Sequence, residues 1–244
     1  MLVAAAVCPH PPLLVPDLAA GAAAELDGLR AACDAALASL LAADVDLLVV
    51  VGGAPATGPF PSGAWGSLAS YGVNIPVPAH SAPRSCNGGS DSVPPTLPLS
   101  LTIGRWLLDR QDSAPAEPVL VGVNADADAM TCASLGATLA DRAPRVAMLV
   151  MGDASARRSL KGPGYLDERA APYDEVVARA LAGADTAALL TLDPAVSAEL
   201  LVAGRAAWQV LAGAAEGGSW SAEVTYDEAP YGVTYLVATW IRTA

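Results

Sequence analysis

The sequence predicts an α/β fold: a single three-layer domain with a central mixed sheet flanked by helices. Three observations carry this. Four short apolar, β-branched runs, residues 2–7, 46–51, 119–123 and 146–151, each stop near Gly, Pro or Asn, and their near-continuous apolarity suits strands buried on both faces. Helical patterns lie between them, an alternation that packs helices onto a sheet. Two later strands, 222–226 and 233–239, flank "DEAPYG" and are expected to pair antiparallel, which makes the sheet mixed. The chain has 244 residues, enough for one large domain or two small ones. Neither half alone offers enough strands for a closed sheet, so one domain over 1–244 is expected, with no internal repeat.

The helices follow in order. Residues 17–42 place Leu18, Leu26, Leu29, Cys33, Leu37, Leu40 and Leu41 at helical spacing with charges between. Residues 100–110, 126–142 and 173–182 read as further helices. The best-marked helix starts at Pro194, a residue suited to the first turn, with Asp193 as its N-cap, and is expected to run to Ala212, before the Gly-rich stretch 213–218. Residues 52–98 stand apart. Rich in Pro, Gly, Ser and Asn with little periodicity, they are too long for a plain connector and read as a functional loop region or a partly disordered one.

Composition narrows the partners. Hydrophobic residues make up 53% of the chain, but only one is Phe, so the core must be built from Ala, Val and Leu. The formal charge is −12 with no basic stripe, which disfavours nucleic acid and anionic membranes. No apolar stretch is long enough to span a bilayer, and "MLVAAAVC" lacks a positive region ahead of its apolar residues, so neither a membrane span nor a signal peptide is expected. Cys8, Cys33, Cys86 and Cys132 form no CxxC pair, which fits reduced thiols and a cytoplasmic location.

Four motifs can carry chemistry. In "VCPHPPLLVPDL" one of only two histidines, His10, sits between prolines at the end of the first strand. That end of an open α/β sheet faces the usual ligand crevice, and the flanking prolines fix the backbone around the imidazole, a good ligand for iron or zinc. A helix-capping or backbone-satisfied histidine is the plainer alternative. In "VMGDASARRSLKGPGY" a strand runs into Asp153, a carboxylate at the same sheet edge and a candidate catalytic group, though Asp after Gly is most often a turn-former or cap. Ser155 has no base nearby in sequence and no G-x-S-x-G elbow, so a hydrolase triad has no support. In "YDEAPYGVTYLV" Glu228 could complete a metal site near a histidine and Tyr231 could contact substrate; pattern alone favours a solvated carboxylate. "VVVGGAPATG" lacks both G-x-G-x-x-G and a Walker lysine, so the nucleotide reading is weak. His80, in the Pro-rich region, is a surface histidine by pattern and a substrate contact if the region folds into the crevice.

Together these pieces resemble a family. "CPHPPLLVPDL" is similar to the N-terminal signature of the LigB-like superfamily, the catalytic subunits of class III extradiol ring-cleavage dioxygenases. "GDASARRSLKGPGYLDERAAPYDEVVARAL" resembles that family's G-D-x-S-H-R segment and following helix, "EAPYGVTYLVA" its closing strand, and "LPLSLTIGRWLL" its central helix. The resemblance implies a non-haem Fe(II) site in which two histidines and a glutamate hold the metal, a catecholic substrate and O₂ take the open positions, and a further histidine acts as acid/base. Carried over, His10 matches the first ligand and Glu228 the carboxylate. The second ligand should follow the second strand, where Gly52, Gly53 and Ala54 stand; the acid/base histidine should stand at Ala156. Alanine and glycine side chains neither bind metal nor move a proton.

Three functions compete on this reading. A divergent homologue without ordinary ring cleavage would keep the crevice for a small aromatic molecule, or serve as a partner subunit, and need no cofactor. An active Fe(II) dioxygenase would cleave a catecholic ring through a rearranged site using His10, His80 and Glu228, with Asp153. A pure scaffold would leave the proline-fixed histidine without a purpose. The family's tendency to oligomerise adds a homo-oligomer of unspecified number to these expectations.

Overall fold

Residues 1–78, 96–112 and 117–243 are described by the computed structural model. The four apolar runs form parallel strands: β1 (Leu2–Cys8), β2 (Leu47–Ala54), β6 (Val119–Asn124) and β7 (Val146–Met151). β9 (Tyr235–Arg242) pairs antiparallel with β1. β8 (Trp220–Glu228) pairs antiparallel with β9, as the sequence predicts. The two-residue β3 (Gly58–Pro59) adds antiparallel to β6 at the other margin. The order is β3-β6-β2-β7-β1-β9-β8, so β7 is inserted between β2 and β1. Within the predicted loop region, β4 (Gly66–Ser67) and β5 (Pro76–Val77) make a separate small sheet; His80 and Cys86 lie outside the described residues.

The strands alternate between two apolar layers, as the two-residue period of a pleated strand requires. Ala5, Val7, Val49, Val51, Met148 and Val150 face one layer, and Ala4, Ala6, Cys8, Val50, Leu149 and Met151 face the other. The first layer is closed by α4 (Ala129–Ala140), α5 (Ala170–Ala182), α6 (Thr186–Leu190) and α8 (Arg205–Ala215). The second is closed by α2 (Asp27–Ala42) and α3 (Leu99–Asp109). This is the single α/β domain with a helix-flanked mixed sheet that the sequence predicts. No helix among the described residues is long and apolar enough to cross a membrane.

Two predicted helices are interrupted. The run from Asp17 divides into α1 (Pro16–Ala19), a 3₁₀ segment (Ala20–Leu26) and α2; Ala20, at φ 47°, leaves the helical region where the chain turns after the proline-rich loop. The helix from Pro194 ends early as α7 (Pro194–Glu199), because Leu201 adopts φ 56° and the chain crosses the carboxyl end of β7 before α8 begins. α8 then passes through Gly213 rather than stopping there. The absent Cβ at Gly213 lets the helix lie against Ala133 of α4, and Gly136 makes the reciprocal approach to Val210.

Candidate functional site at the carboxyl edge of the sheet

The loop after β1 is fixed from several sides. Pro11 is extended, a 3₁₀ turn follows at Pro12–Leu14, and Leu14 and Val15 are buried in the α2 layer. The buried Arg30 of α2 donates to the carbonyl of Leu14 at 3.2 Å, to the carbonyl of Ala23, and to Asp27 Oδ1 at 2.6 Å. A rigid proline segment is thus clamped by a guanidinium, and His10 is held at its start with only 8% of its surface exposed.

β7 delivers the partner. Gly152 donates its N–H to Cys8 at 3.0 Å, so the ends of β7 and β1 stay in register past the strands. The next residue, Asp153, accepts the backbone N–H of His10 on Oδ1 at 2.7 Å, and the same oxygen lies 3.7 Å from His10 Nδ1. Nδ1 is enclosed and has no hydrogen-bond partner among the described residues. The Asp153 carbonyl accepts the N–H groups of Ala203 and Gly204 at 3.1 and 2.9 Å, which explains why the helix from Pro194 must break there. The two site residues predicted on separate strands therefore meet, where β7 lies between β1 and β2 and the connections diverge.

Glu228 and Tyr231 are placed differently. Glu228 pairs with Tyr235 in the β8–β9 ladder, while β9 lies between β8 and β1. Two ladder spacings, about 10 Å, separate its backbone from the extension of β1. Its carboxylate is exposed and accepts the Tyr226 hydroxyl at 3.2 Å. Tyr231 donates its hydroxyl to Glu25 at 2.8 Å.

Tyr235 was not singled out from sequence, yet the Asp153 carboxylate acts on it. It is buried at the start of β9, and burial, reinforced by the Asp153 carboxylate, pushes its phenol well above the ordinary tyrosine range. Tyr226 and Tyr231 reinforce the same shift, so the three tyrosines and Asp153 share one electrostatic neighbourhood on the α2 side of the sheet. The alternation of Tyr226 and Glu228 on β8, ahead of Tyr231 and Tyr235, was the available signal.

The positions of the absent histidines are also defined. Gly53 accepts the Ser100 hydroxyl on its carbonyl at 2.7 Å, and a cavity of about 40 Å³ beside it is lined by Val123, Ser197, Ala203 and Arg205. Ala156 is buried, donating its N–H to Leu200 and accepting that of Gly164. Among the described residues no three His, Cys, Asp or Glu side chains are grouped to hold a metal ion. Of the donors implied by the resemblance, His10 lies beside Asp153, Glu228 is turned to Tyr226, and His80 lies outside the described residues. A larger cavity of about 440 Å³ sits at the amino end of β6, beside Phe60, Arg105, Glu117 and Arg142, away from His10.

No family model matches the chain, and no curated protein matches it. A solved structure, that of the uncharacterized protein JW3007 from Escherichia coli K12, is similar to it over 98% of this chain and 99% of that one, with a TM-score of 0.58 and 15% identity. At that identity the likeness speaks to the fold.

Proposed function

We propose that this protein is a divergent homologue of the class III extradiol dioxygenases that binds a small aromatic molecule at the carboxyl edge of its sheet without ordinary ring cleavage. The observation that carries the reading is the His10–Asp153 pair at 2.7 and 3.7 Å, retained where the nitrogen groups expected nearby are replaced by Gly53, Ala54 and Ala156. An acid/base group of that kind contributes about 100- to 10,000-fold in rate, and loss of a metal ligand as well removes the means of holding O₂ and a catecholate together. What remains is recognition. Asp153 offers an acceptor to a phenolic hydroxyl, and the His10 imidazole lies beside it in a wall that largely excludes water. The buried Tyr235 phenol stays protonated, available as a donor, through the physiological range.

The test is calorimetric titration of the full chain with 4-ethylphenol and 4-ethylcatechol, alongside oxygen uptake after anaerobic loading with Fe(II). Saturable binding that weakens about tenfold or more in His10→Gln, a loss of about 1.4 kcal/mol, is expected. Iron should purify at well below one equivalent. Stoichiometric iron with oxygen consumption and a ring-fission chromophore would establish the active dioxygenase instead.

A further inference from the structure

The small cavity beside Gly53 has a buried cation in its wall and no anion to match it. It lies at the carboxyl ends of β2 and β6, at Gly53 and Val123, and is bounded by Ser197 of α7 and by Arg205 and Ala206 where α8 begins. Two arginines are buried among the described residues, Arg30 at 7% exposure and Arg205 at 2%. Arg30 has the Asp27 carboxylate at 2.6 Å, whereas no carboxylate among the described residues lies within 4 Å of the Arg205 guanidinium. Nη1 of Arg205 donates to the Ala127 carbonyl and, at 2.7 Å, to Gln209 Oε1, and Nη2 donates to the Ala125 carbonyl. Gln209 gives its own amide to the Leu192 and Leu189 carbonyls at 3.0 and 3.2 Å, so it can present only its neutral oxygen to Arg205. A guanidinium has five N–H donors. Its Nε–H and one Nη2–H therefore lack an acceptor among the described residues, and neutral oxygens leave its charge uncancelled. A buried charge of this kind is costly unless something of opposite sign joins it.

The start of α8 adds charge of the same sign. Its N-cap, Gly204, has no side chain to cap the helix, and the buried N–H groups of Ala206 and Ala207 find no acceptor among the described residues. Such a helix end carries partial positive charge. The nearby carboxylates do not neutralise it. Asp128 is turned to Thr131, accepting its N–H at 2.7 Å and its hydroxyl at 3.1 Å, and Asp126 is an exposed member of the cavity lining.

We propose that this cavity seats a small monovalent anion, a free halide or the carboxylate head of an organic acid, between the Arg205 guanidinium and the first turn of α8. A space of about 40 Å³ holds roughly two or three water-sized particles, far less than the ~300 Å³ or more of a site for a drug-sized molecule. Asp126 in the lining sets the valence, because a dianion would meet its repulsion twice over. The seat stands apart from the aromatic-ligand reading and uses neither His10 nor the Asp153 carboxylate.

The experiment follows the chloride NMR line width as chloride is titrated into the full chain, in a sodium sulfate background of constant ionic strength. Saturable broadening with a dissociation constant of about 1 mM is expected. Formate is the competitor: displacement extends the seat to carboxylate heads, and broadening that formate leaves alone confines it to halides, with the seat supported either way. Gly53→Ala places a methyl group in the cavity wall, where the nearest atom is the Ala203 carbonyl oxygen at 3.7 Å, and should weaken chloride about tenfold or more without disturbing the fold. Asp126→Asn, an exposed change, should tighten it about threefold by removing the like charge. Should Gly53→Ala fail to fold, Asp126→Asn and bromide located by anomalous scattering in crystals of the unaltered chain decide the matter. No saturable broadening against sulfate, affinity unmoved in the folded variants, or bromide found only outside the cavity would overturn the inference.

Discussion

Asp174 shows how much one side chain can organise without touching the candidate site. Its buried carboxylate accepts the Ser155 N–H at 2.9 Å, the Ser155 hydroxyl at 2.6 Å, the Thr234 hydroxyl at 2.6 Å and an Arg158 N–H at 3.1 Å. The residues it grips follow Asp153 and precede Tyr235, so it fixes the chain next to both. Replacing Asp174 with Ala would strand three buried donors beside an arginine and is expected to lower stability by about 3 kcal/mol or more, read from the urea midpoint. In sequence, Asp174 is one more charge on an amphipathic helix, and nothing in the period separates it from exposed Glu175. His10 and Asp153 were legible because strand ends are legible. Asp174, Tyr235 and Glu25 depend on which loop folds over which helix, and that is not written in any local pattern.

At the scale of elements, apolar runs and capping chemistry located most strands and helices to within a few residues. The N-cap assigned to Asp193 is made, its carboxylate accepting the Val196 N–H at 2.9 Å. The failures share a cause: local helical preference was overridden by a tertiary need, as where residues 200–204 must leave the helix to satisfy the Asp153 carbonyl. Glycine was misread in the same way. Gly213 reads as a stop signal, but α4 and α8 use glycine for close approach, and a Cβ at Gly136 would stand 1.9 Å from the Val210 carbonyl oxygen. Gly136→Ala is therefore expected to lower the unfolding free energy by about 3 kcal/mol, at or beyond the upper end of ordinary overpacking, because backbone rather than a side-chain tip must move. Gly21→Ala, where nothing lies within 4 Å, is the matched control and should change the denaturation midpoint little.

Across the whole molecule, buried phenols link stability to alkaline pH. Burial pushes Tyr173 and Tyr226 up to about 12, and Tyr235 higher still. Unfolded tyrosines ionise near about 10, so above that pH the unfolded chain loses protons that the native chain retains. The contribution is fully present below about pH 10 and disappears as pH rises through about 12. Urea midpoints should hold steady up to about pH 9 and then fall, with phenolate absorbance appearing late and together with unfolding. A midpoint that does not move across this window would show that these hydroxyls reach water in the native state.

The central seat of β7 has a consequence for how the chain is made. β1 is synthesised ahead of every other strand of the sheet, yet both strands that flank it, β7 and β9, are encoded roughly a hundred and forty and more than two hundred and thirty residues later. Through most of translation its apolar edges are bare, and no hairpin with its sequence neighbour can cover them. Long-range pairing of this sort is slow to form and open to misassociation. Nascent chains halted before residue 146 should need a chaperone's shelter in a way that chains carried past residue 242 do not.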